Sequence, residues 1–162
     1  EMCIIDRDRR GNLTLTNING LCRIALDKLK KTYEQDIQEK NIRIIFDNLT
    51  LSLMMEVNVE QFSKVLAGIL KNSMYALLKK SETVTFSPEI FLGLKVNKDM
   101  LEITIRDNGS GIDENIKDKI FAPFFTTKTT GEAAGVGLYL CREIVQNHRG
   151  TIEVESKKGC LL

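Results

Sequence analysis

The sequence predicts an α/β (α+β) fold, and three observations support that prediction. Its 162 residues suffice for one domain with its own hydrophobic core. Apolar residues make up 43% and charged residues 28% of the chain, a balance that is ordinary for a folded globular domain. Segments with the apolar period of amphipathic helices also stand among short segments that alternate as strands do.

Three segments predict helices because apolar residues recur in them at three- and four-residue steps. These segments span about 17–38, 60–80 and 138–147. Residues 1–16 have no decisive period, so we expect a linker or an N-terminal extension there.

Five shorter segments predict strands, at about 42–46, 51–55, 91–96, 100–106 and 151–155. The third and fourth are separated only by residues 97–99. Such a short connection predicts an antiparallel pair joined by a tight turn.

Charge and cysteine usage exclude several classes of protein. The formal net charge is +1, so bulk electrostatics indicate neither a nucleic-acid nor a membrane-surface partner. No apolar run approaches the roughly 20 residues of a membrane-spanning helix, and no signal-peptide pattern opens the chain. The four cysteines are widely scattered, which favours neither a zinc site nor a disulfide framework. We therefore expect a cytoplasmic domain, whether or not its parent protein is anchored in a membrane.

The turn after the strand at 100–106 carries a carboxylate followed by two glycines, in the order Asp107-Asn108-Gly109-Ser110-Gly111-Ile112. Asp107 has the parity of the strand's apolar residues, so we expect its carboxylate to point inward, where it needs hydrogen-bond donors. The exocyclic amino group of adenine is one such donor, and the glycines would let a flat ring lie against the turn. A polar turn with a locally satisfied Asp is the alternative.

Other residues favour the binding of phosphate and metal. Gly135 and Gly137 precede a predicted helix, and a glycine-rich loop at a helix start presents backbone N–H groups to an anion. Residues 129–134 before them suit a mobile lid. Lys128 is placed to meet phosphate charge, and the amide oxygen of Asn72 suits a Mg²⁺ ion that takes its other ligands from phosphates and water. A solvated lysine and a locally bonded asparagine are the ordinary alternatives.

Four sequence motifs, and the order in which they occur, resemble the catalytic ATP-binding domain of bacterial sensor histidine kinases. They are an Asn on a helix, Asp-x-Gly-x-Gly-Ile after a strand, Phe-x-Pro-Phe-Phe-Thr-Thr-Lys, and Gly-x-Gly-Leu opening a helix. The domain belongs to a superfamily shared with gyrase, the heat-shock ATPase chaperones and the mismatch-repair ATPases. The resemblance covers about 17–162, which we take as the extent of the domain.

The resemblance implies a two-layer sandwich, in which a mixed, largely antiparallel sheet of about five strands carries about three helices on one face, with ATP under a flexible lid. It implies ATP and Mg²⁺ as ligands. Asn72 would ligate the metal, Asp107 would hold the adenine amino group, and the Phe-rich segment would tie the lid to the sheet. Its three Phe residues within five positions also indicate a local anchor packed on the core. The implied ATP-binding residues are Asn72, Tyr75, Asp107, Gly109, Gly111, Ile112, Phe125, Thr127, Lys128, Gly135, Val136, Gly137 and Leu138.

The chain also departs from the family pattern. Tyr75 stands where members often have a charged residue, and Tyr139 replaces the third glycine of the last motif. Gly68 lies one helical turn before Asn72, where hydrolysing relatives carry a Glu that activates water, so we expect a kinase rather than a hydrolase. The chain begins at Glu1 and stops soon after Gly159, so we expect a piece of a longer protein with its last strand truncated.

The sole histidine, His148, follows the last predicted helix, and we expect it to be structural. The phosphoacceptor histidine would then lie outside this chain, on the dimerisation helices of the parent protein, with a response regulator as an indirect partner. We expect no nucleic-acid partner and no direct membrane contact. The alternatives are a degenerate nucleotide-binding or interaction module and, less favoured, a stand-alone ATPase of the chaperone or gyrase type.

Overall fold

The computed structural model describes residues 12–48, 52–128 and 137–156. Its helices and strands follow the order β1 (Thr14–Asn17), α1 (Ile18–Thr32), α2 (Glu34–Lys40), β2 (Arg43–Asp47), β3 (Met54–Val57), α3 (Val59–Ser81), β4 (Glu89–Asn97), β5 (Met100–Asp107) and α4 (Gly137–Asn147), with a 3-10 helix at Glu114–Lys119 before α4. The α+β class is therefore confirmed. No helix within these ranges is long and apolar enough to cross a membrane.

The strands of the described ranges form two sheets rather than the single sheet that was expected. Strands β1 and β3 pair antiparallel, while the second sheet has the order β2-β4-β5. In that sheet β2 runs parallel to β4, and β4 runs antiparallel to β5. The predicted hairpin is confirmed, because Asn97 pairs with Met100 across the two-residue turn. Lys98 in that turn has a φ of 56°.

The long first helix of the prediction is wrong in one respect, because Tyr33 divides it into α1 and α2. Tyr33 has φ −113° and ψ 27°, outside the helical region. Charges mark the division: Lys30 and Lys31 lie in the last turn of α1, and acidic residues lie in the first turn of α2. Each charge complements the dipole of its helix end, so two short helices are stabilised there. Apolar spacing alone does not detect that signal.

Two segments near the ends of the chain differ in whether they form a strand. Residues 14–16 were expected to be part of a linker or N-terminal extension; together with Asn17 they form β1, because they pair with β3, about 40 residues further along the sequence. Residues 151–155 were expected to form a strand, and this prediction is wrong, because residues 151–156 have no strand assignment. Their alternation is real, since Ile152 and Val154 are half-buried between exposed neighbours. A strand also needs a partner to share its hydrogen bonds, and alternation does not provide one.

The main core lies between the helices α1 and α3 and the three-stranded sheet. Its largest fully buried side chains include Ile18 of α1, Leu70, Met74 and Leu77 of α3, and Ile90 and Leu92 of β4. A second, smaller cluster joins α3 to α4 through Val65, Cys141 and Ile144. Helix α3 belongs to both clusters, so it fixes the position of the residues along its remaining faces.

His148 connects the end of α4 to the start of α3, which confirms its structural role. Its Nδ1–H donates to the carbonyl oxygen of Ile144 at 2.8 Å, and its Nε2 accepts from the backbone N–H of Asn58 at 3.1 Å. Phe62 packs edge-on against the ring, with the centroids 6.2 Å apart. Both ring nitrogens are thus used in hydrogen bonds within the fold.

We expect the thiols of Cys22 and Cys141 to resist alkylation in the native protein at pH 8. Burial raises the pKa of each thiol to about 11. At pH 8 the reactive thiolate is therefore scarce. Mass spectrometry of iodoacetamide-treated protein should find both peptides unmodified, and both labelled rapidly after denaturation. Equal labelling rates in native and denatured protein would contradict the burial of these residues. Cys3 and Cys160 lie outside the described ranges.

Candidate functional site

Four of the predicted site residues, Asn72, Tyr75, Gly109 and Lys128, meet on one face of α3. Residues three and four apart share a helix face, so Asn72, Tyr75 and Ala76 lie on neighbouring positions there. The turn after β5 packs on Ala76, and Lys128 reaches Asn72 from the segment before the predicted lid. Three separate parts of the sequence therefore meet on this helix.

Asp107 lies on the predicted face of β5 and yet is exposed, which corrects the expected inward carboxylate. It pairs with Ile90, which is fully buried, and directly opposed residues of an antiparallel pair project to the same face. Asp107 is the last residue of its strand, where neighbours remain on one side only. Alternation indicates the face that a side chain takes and does not show how deeply the end of a strand is covered. The carboxylate Oδ1 accepts from the N–H of Gly109 at 3.0 Å, which shapes the turn.

Gly109 brings the turn into direct contact with the backbone of α3. A Cβ at this position would lie 2.6 Å from both the carbonyl carbon and the Cβ of Ala76. The next residue, Ser110, donates its N–H to the carbonyl oxygen of Ala76 at 3.2 Å. The glycine was expected to admit a flat ligand ring, whereas in the structure it admits the helix. Because Ala76 lies one helical turn after Asn72, this contact sets the position of Asp107 relative to Asn72.

Asn108 fixes the same turn to the sheet and was given no role from the sequence. Its side-chain amide donates to the carbonyl oxygen of Ser87 and accepts from the N–H of Glu89, both at 2.8 Å. Its own carbonyl oxygen accepts from Nζ of Lys80 at 2.9 Å. Its place between Asp107 and Gly109 is the only signal that the sequence contains, because the partners are 19 to 28 residues away.

Gly111 and Ile112 continue the turn after Ser110. Gly111 has a φ of 69°, in the region that favours glycine. The N–H of Ile112 donates to Oγ of Ser156 at 2.7 Å, which holds the residues after α4 beside the turn. The structure therefore gives the segment 151–156 a contact with the candidate site, although it forms no strand there.

Lys128 makes the most specific contact of the site. Its Nζ donates to Oδ1 of Asn72 at 3.2 Å and lies 4.6 Å from the centre of the Tyr75 ring. The oxygen that the sequence assigns to a metal ion thus already faces a positive charge. Both distances fall within the usual range for a hydrogen bond or a cation–π contact.

The Phe-rich segment is less buried than a core anchor would be. Phe121 and Phe125 are half-buried, whereas Phe124 is 79% exposed. Phe124 has a φ of 62°, a conformation rarely adopted by a bulky residue. The expectation that all three rings anchor the segment on the core is therefore wrong for Phe124. Thr127 is exposed beside Lys128.

The glycine loop is only partly within the described ranges. Gly135 and Val136, and the predicted lid at 129–134, lie outside them. Gly137 begins α4 and is exposed, and no other part of the described chain comes within 4 Å of a Cβ placed there, while Leu138 is half-buried. A cavity of about 160 Å³ between α1 and α3 lies elsewhere: Lys71 lines it and Asn72 does not.

Comparison with known proteins identifies the family of this chain. A family model described as histidine kinase-, DNA gyrase B-, and HSP90-like ATPase matches residues 58–161. The chain belongs to this family. The resemblance inferred from the four motifs is thereby confirmed.

Sensor kinases are among the relatives of this family member. The chain is 27% identical over 158 residues to the sensor histidine kinase ZraS of Salmonella typhi, and 36% identical over 139 residues to a probable C4-dicarboxylate sensor kinase of Halalkalibacterium halodurans. These matches cover 96% and 86% of this chain. They cover 31% and 25% of the relatives, so the chain spans less than a third of their length.

Solved kinase structures share the fold of this ATPase-family chain. The nucleotide-free catalytic domain of histidine kinase ThkA matches with a TM-score of 0.67 and 28% identity, over 83% of this chain and 80% of that one. The same kinase, in complex with response regulator protein TrrA, matches with a TM-score of 0.62 and 25% identity, over 85% of this chain and 36% of that one.

The departures of this ATPase-family member from the common pattern have local structural settings. A Cβ on Gly68 would lie 3.2 Å from Sγ of Cys141, so position 68 faces the contact between α3 and α4. Tyr75 faces Lys128, and Tyr139 is half-buried in the first turn of α4. None of these settings requires the backbone to depart from a helix.

The donor set around Asn72 fits a magnesium ion that is mainly coordinated by phosphates and water. In residues 12–48, 52–128 and 137–156, no group of three or more His, Cys, Asp or Glu side chains is arranged to hold a metal. The amide oxygen of Asn72 is a single hard ligand, and Lys128 shows that it is oriented to receive a cation. A protein that offers one such ligand needs the polyphosphate to supply the others.

Proposed function

We propose that this chain is the catalytic ATP-binding domain of a sensor histidine kinase. It binds Mg-ATP and donates the γ-phosphate to a histidine on a separate dimerisation and phosphoacceptor domain. The observation that carries the proposal is the convergence of Asn72, Lys128 and the turn at Gly109 on one face of α3. The proposed domain spans 17–162 together with β1, in the cytoplasm, where ATP is supplied.

The proposed roles follow from the chemistry of each group. Asn72 would hold the magnesium ion, which neutralises phosphate charge when bound. Lys128 would face the phosphates. The start of α4 at Gly137 and Leu138 would face them too, together with Gly135 and Val136. Tyr75, Phe125 and Thr127 would lie beside them. Gly111 and Ile112 would line the base, and Gly109, packed on Ala76, would hold the turn beside it. Phosphoryl transfer needs chiefly positioning and charge neutralisation, and these groups supply both.

A kinase is favoured over a hydrolase of the same family. Water activation needs a general base within hydrogen-bond reach of the attacking water. Position 68 holds a glycine, which faces Cys141, and therefore supplies no carboxylate. Asn72 is therefore not accompanied by a base one helical turn earlier. The chain is expected to bind ATP and to hydrolyse it slowly.

Substitution of Asp107 by asparagine tests the adenine assignment. A carboxylate accepts strongly from the adenine amino group, so the Asp107→Asn variant is expected to bind ATP more weakly by about 1–3 kcal/mol. Selectivity for ATP over an inosine nucleotide, which lacks that amino group, should fall as well. Competition binding with both nucleotides measures the effect. Asp99→Asn, at the opposite end of the β4–β5 hairpin, is the matched control and should change neither value.

The phosphoacceptor is tested by following labelled phosphate. The only histidine, His148, uses both ring nitrogens in the fold, so the chain alone should acquire no stable label from γ-labelled ATP. Addition of the dimerisation and phosphoacceptor domain of the parent protein should yield acid-labile label on that domain. Stable label on the isolated chain would overturn the proposed division of labour, and label on neither protein would overturn the kinase assignment.

A response regulator is the proposed downstream partner. The support comes from a related protein, because histidine kinase ThkA has been solved in complex with response regulator protein TrrA. In the proposal, phosphate reaches such a regulator from the phosphoacceptor domain, and this chain contributes only the first transfer.

A further inference from the structure

Tyr75 faces two lysine side chains on the site side of α3. The Nζ of Lys128 lies 4.6 Å from its ring centre, and the Nζ of Lys79 lies 5.9 Å away. Lys128 at the same time donates to Oδ1 of Asn72 at 3.2 Å. Asn72 and Tyr75 are three residues apart on the helix, so one ammonium group can contact both side chains.

We propose that Tyr75 is a positioning residue that holds the Lys128 ammonium beside Asn72. The phosphate-facing cation of this chain then comes from the segment after the Phe-rich motif, and α3 contributes the aromatic surface that places it. The inference rests on the proposed function, because it concerns how the same site receives a polyphosphate. Tyr75 therefore acts through Lys128.

The Lys128 side chain must be restrained for its ammonium group to stay beside Asn72. A lysine has four rotatable bonds, and ordering it costs conformational entropy. A single hydrogen bond to a partly exposed amide offsets that cost poorly, whereas an added cation–π contact restrains the ammonium from a second direction. Tyr75 is half-buried in α3, so its ring is itself held by the helix and its neighbours.

Lys71 provides a contrast within the same helix. It is the neighbour of Asn72 in sequence, yet it is exposed and lines the cavity between α1 and α3. Two lysines therefore lie close to Asn72, and only Lys128 is placed against both its amide oxygen and an aromatic ring. Removing the charge of Lys71 controls for the general electrostatic attraction of phosphate by this helix.

The test compares Tyr75→Leu, Tyr75→Phe, Lys128→Met, the double variant of Tyr75→Leu with Lys128→Met, and the control Lys71→Met. Dissociation constants are measured for a non-hydrolysable ATP analogue with Mg²⁺ and for adenosine. Tyr75→Leu should weaken binding of the analogue by about 3- to 10-fold, because the cation–π contact is lost. Tyr75→Phe keeps the aromatic face and should stay within about 2-fold of the wild type.

The double variant separates positioning from a direct contact. If Tyr75 acts through Lys128, the double variant should bind the analogue no more weakly than Lys128→Met alone. Adenosine carries no phosphate, so its affinity should be unchanged in every variant, and Lys71→Met should match the wild type for both ligands. The ring current of Tyr75 should also shift the ε-methylene proton resonances of Lys128 upfield in wild type and Tyr75→Phe. That signature keeps the test valid should Tyr75→Leu fail to fold.

Several outcomes would overturn the positioning role while leaving the proposed function intact. They are a further loss on adding Tyr75→Leu to Lys128→Met, a loss of adenosine affinity with Tyr75→Leu, a Tyr75→Phe variant as weak as Tyr75→Leu, or unshifted Lys128 resonances. A wild-type chain that binds neither the ATP analogue nor adenosine would overturn the proposed function, and this inference with it.

Discussion

Replacing Gly109 by alanine is expected to lower the free energy of unfolding by about 1–3 kcal/mol and to weaken ATP binding. The added Cβ would stand 2.6 Å from the carbonyl carbon and the Cβ of Ala76, and 2.8 Å from its carbonyl oxygen. These are backbone and Cβ atoms inside the 23-residue helix α3, so they cannot move aside as the end of a flexible side chain can. The turn must move instead, and Asp107 moves with it.

Denaturant unfolding measures the stability change, and titration with a non-hydrolysable ATP analogue measures the binding change. Gly20→Ala is the matched control, because a Cβ there would lie no closer than 3.8 Å to any neighbour and the position is inside α1. That control should leave stability unchanged or raise it by up to about 1 kcal/mol. A Gly109→Ala protein as stable as wild type, with unchanged affinity, would show that the tight contact with α3 does not position the turn.

Replacing Asn72 by alanine is expected to weaken Mg²⁺-dependent ATP binding by about 10- to 100-fold. A loss of this size is expected when a polar contact to a charged group is removed. The substitution removes the proposed metal ligand and also the hydrogen-bond partner of Lys128. Binding measured with EDTA should change much less, because Asp107 and the turn are untouched. Calorimetric titration with and without Mg²⁺ gives both values.

Asn72→Gln refines this prediction. Glutamine keeps the amide and displaces its oxygen by one methylene group, so an intermediate loss is expected if the position of the oxygen matters. Equal affinity of Asn72→Ala and wild type in Mg²⁺ would mean that the metal is held elsewhere. Thermal unfolding of each variant provides the stability control, since Asn72 is only half-buried.

Much of the helical framework follows from local signals in the sequence. Helix α3 was predicted over 60–80 and is found at Val59–Ser81, because its apolar face recurs over a long segment. Its start is also marked by Asn58, whose side chain accepts from the N–H of Gln61. The β4–β5 hairpin is predictable for a similar reason, since two alternating strands are joined by a short turn.

The pairing of the outer segments does not follow from local signals. Residues 14–17 show no decisive period, whereas residues 151–156 alternate, yet only the first segment finds a strand partner in the described part of the chain. The partner of β1 lies beyond α1, α2 and β2, and no local pattern identifies it. Strand formation there is a property of the tertiary structure.

The candidate site was predicted as a set of residue types and without its contacts. Asn72 and Lys128 were both singled out, but their separation of 56 residues conceals that they form a hydrogen bond with each other. Tyr75 was read as a departure from the pattern, whereas the structure shows it as a partner of Lys128. Gly109 was read as space for a ligand, whereas it is space for α3. Each correction concerns a partner distant in sequence, which spacing does not reveal.

Calorimetric titration of this chain with a non-hydrolysable ATP analogue, with and without Mg²⁺, tests the central claim most directly. We expect saturable binding near one nucleotide per chain, tightened by Mg²⁺ and reduced by excess ATP. No heat of binding in the presence of Mg²⁺, from protein shown to be folded by circular dichroism, would contradict it.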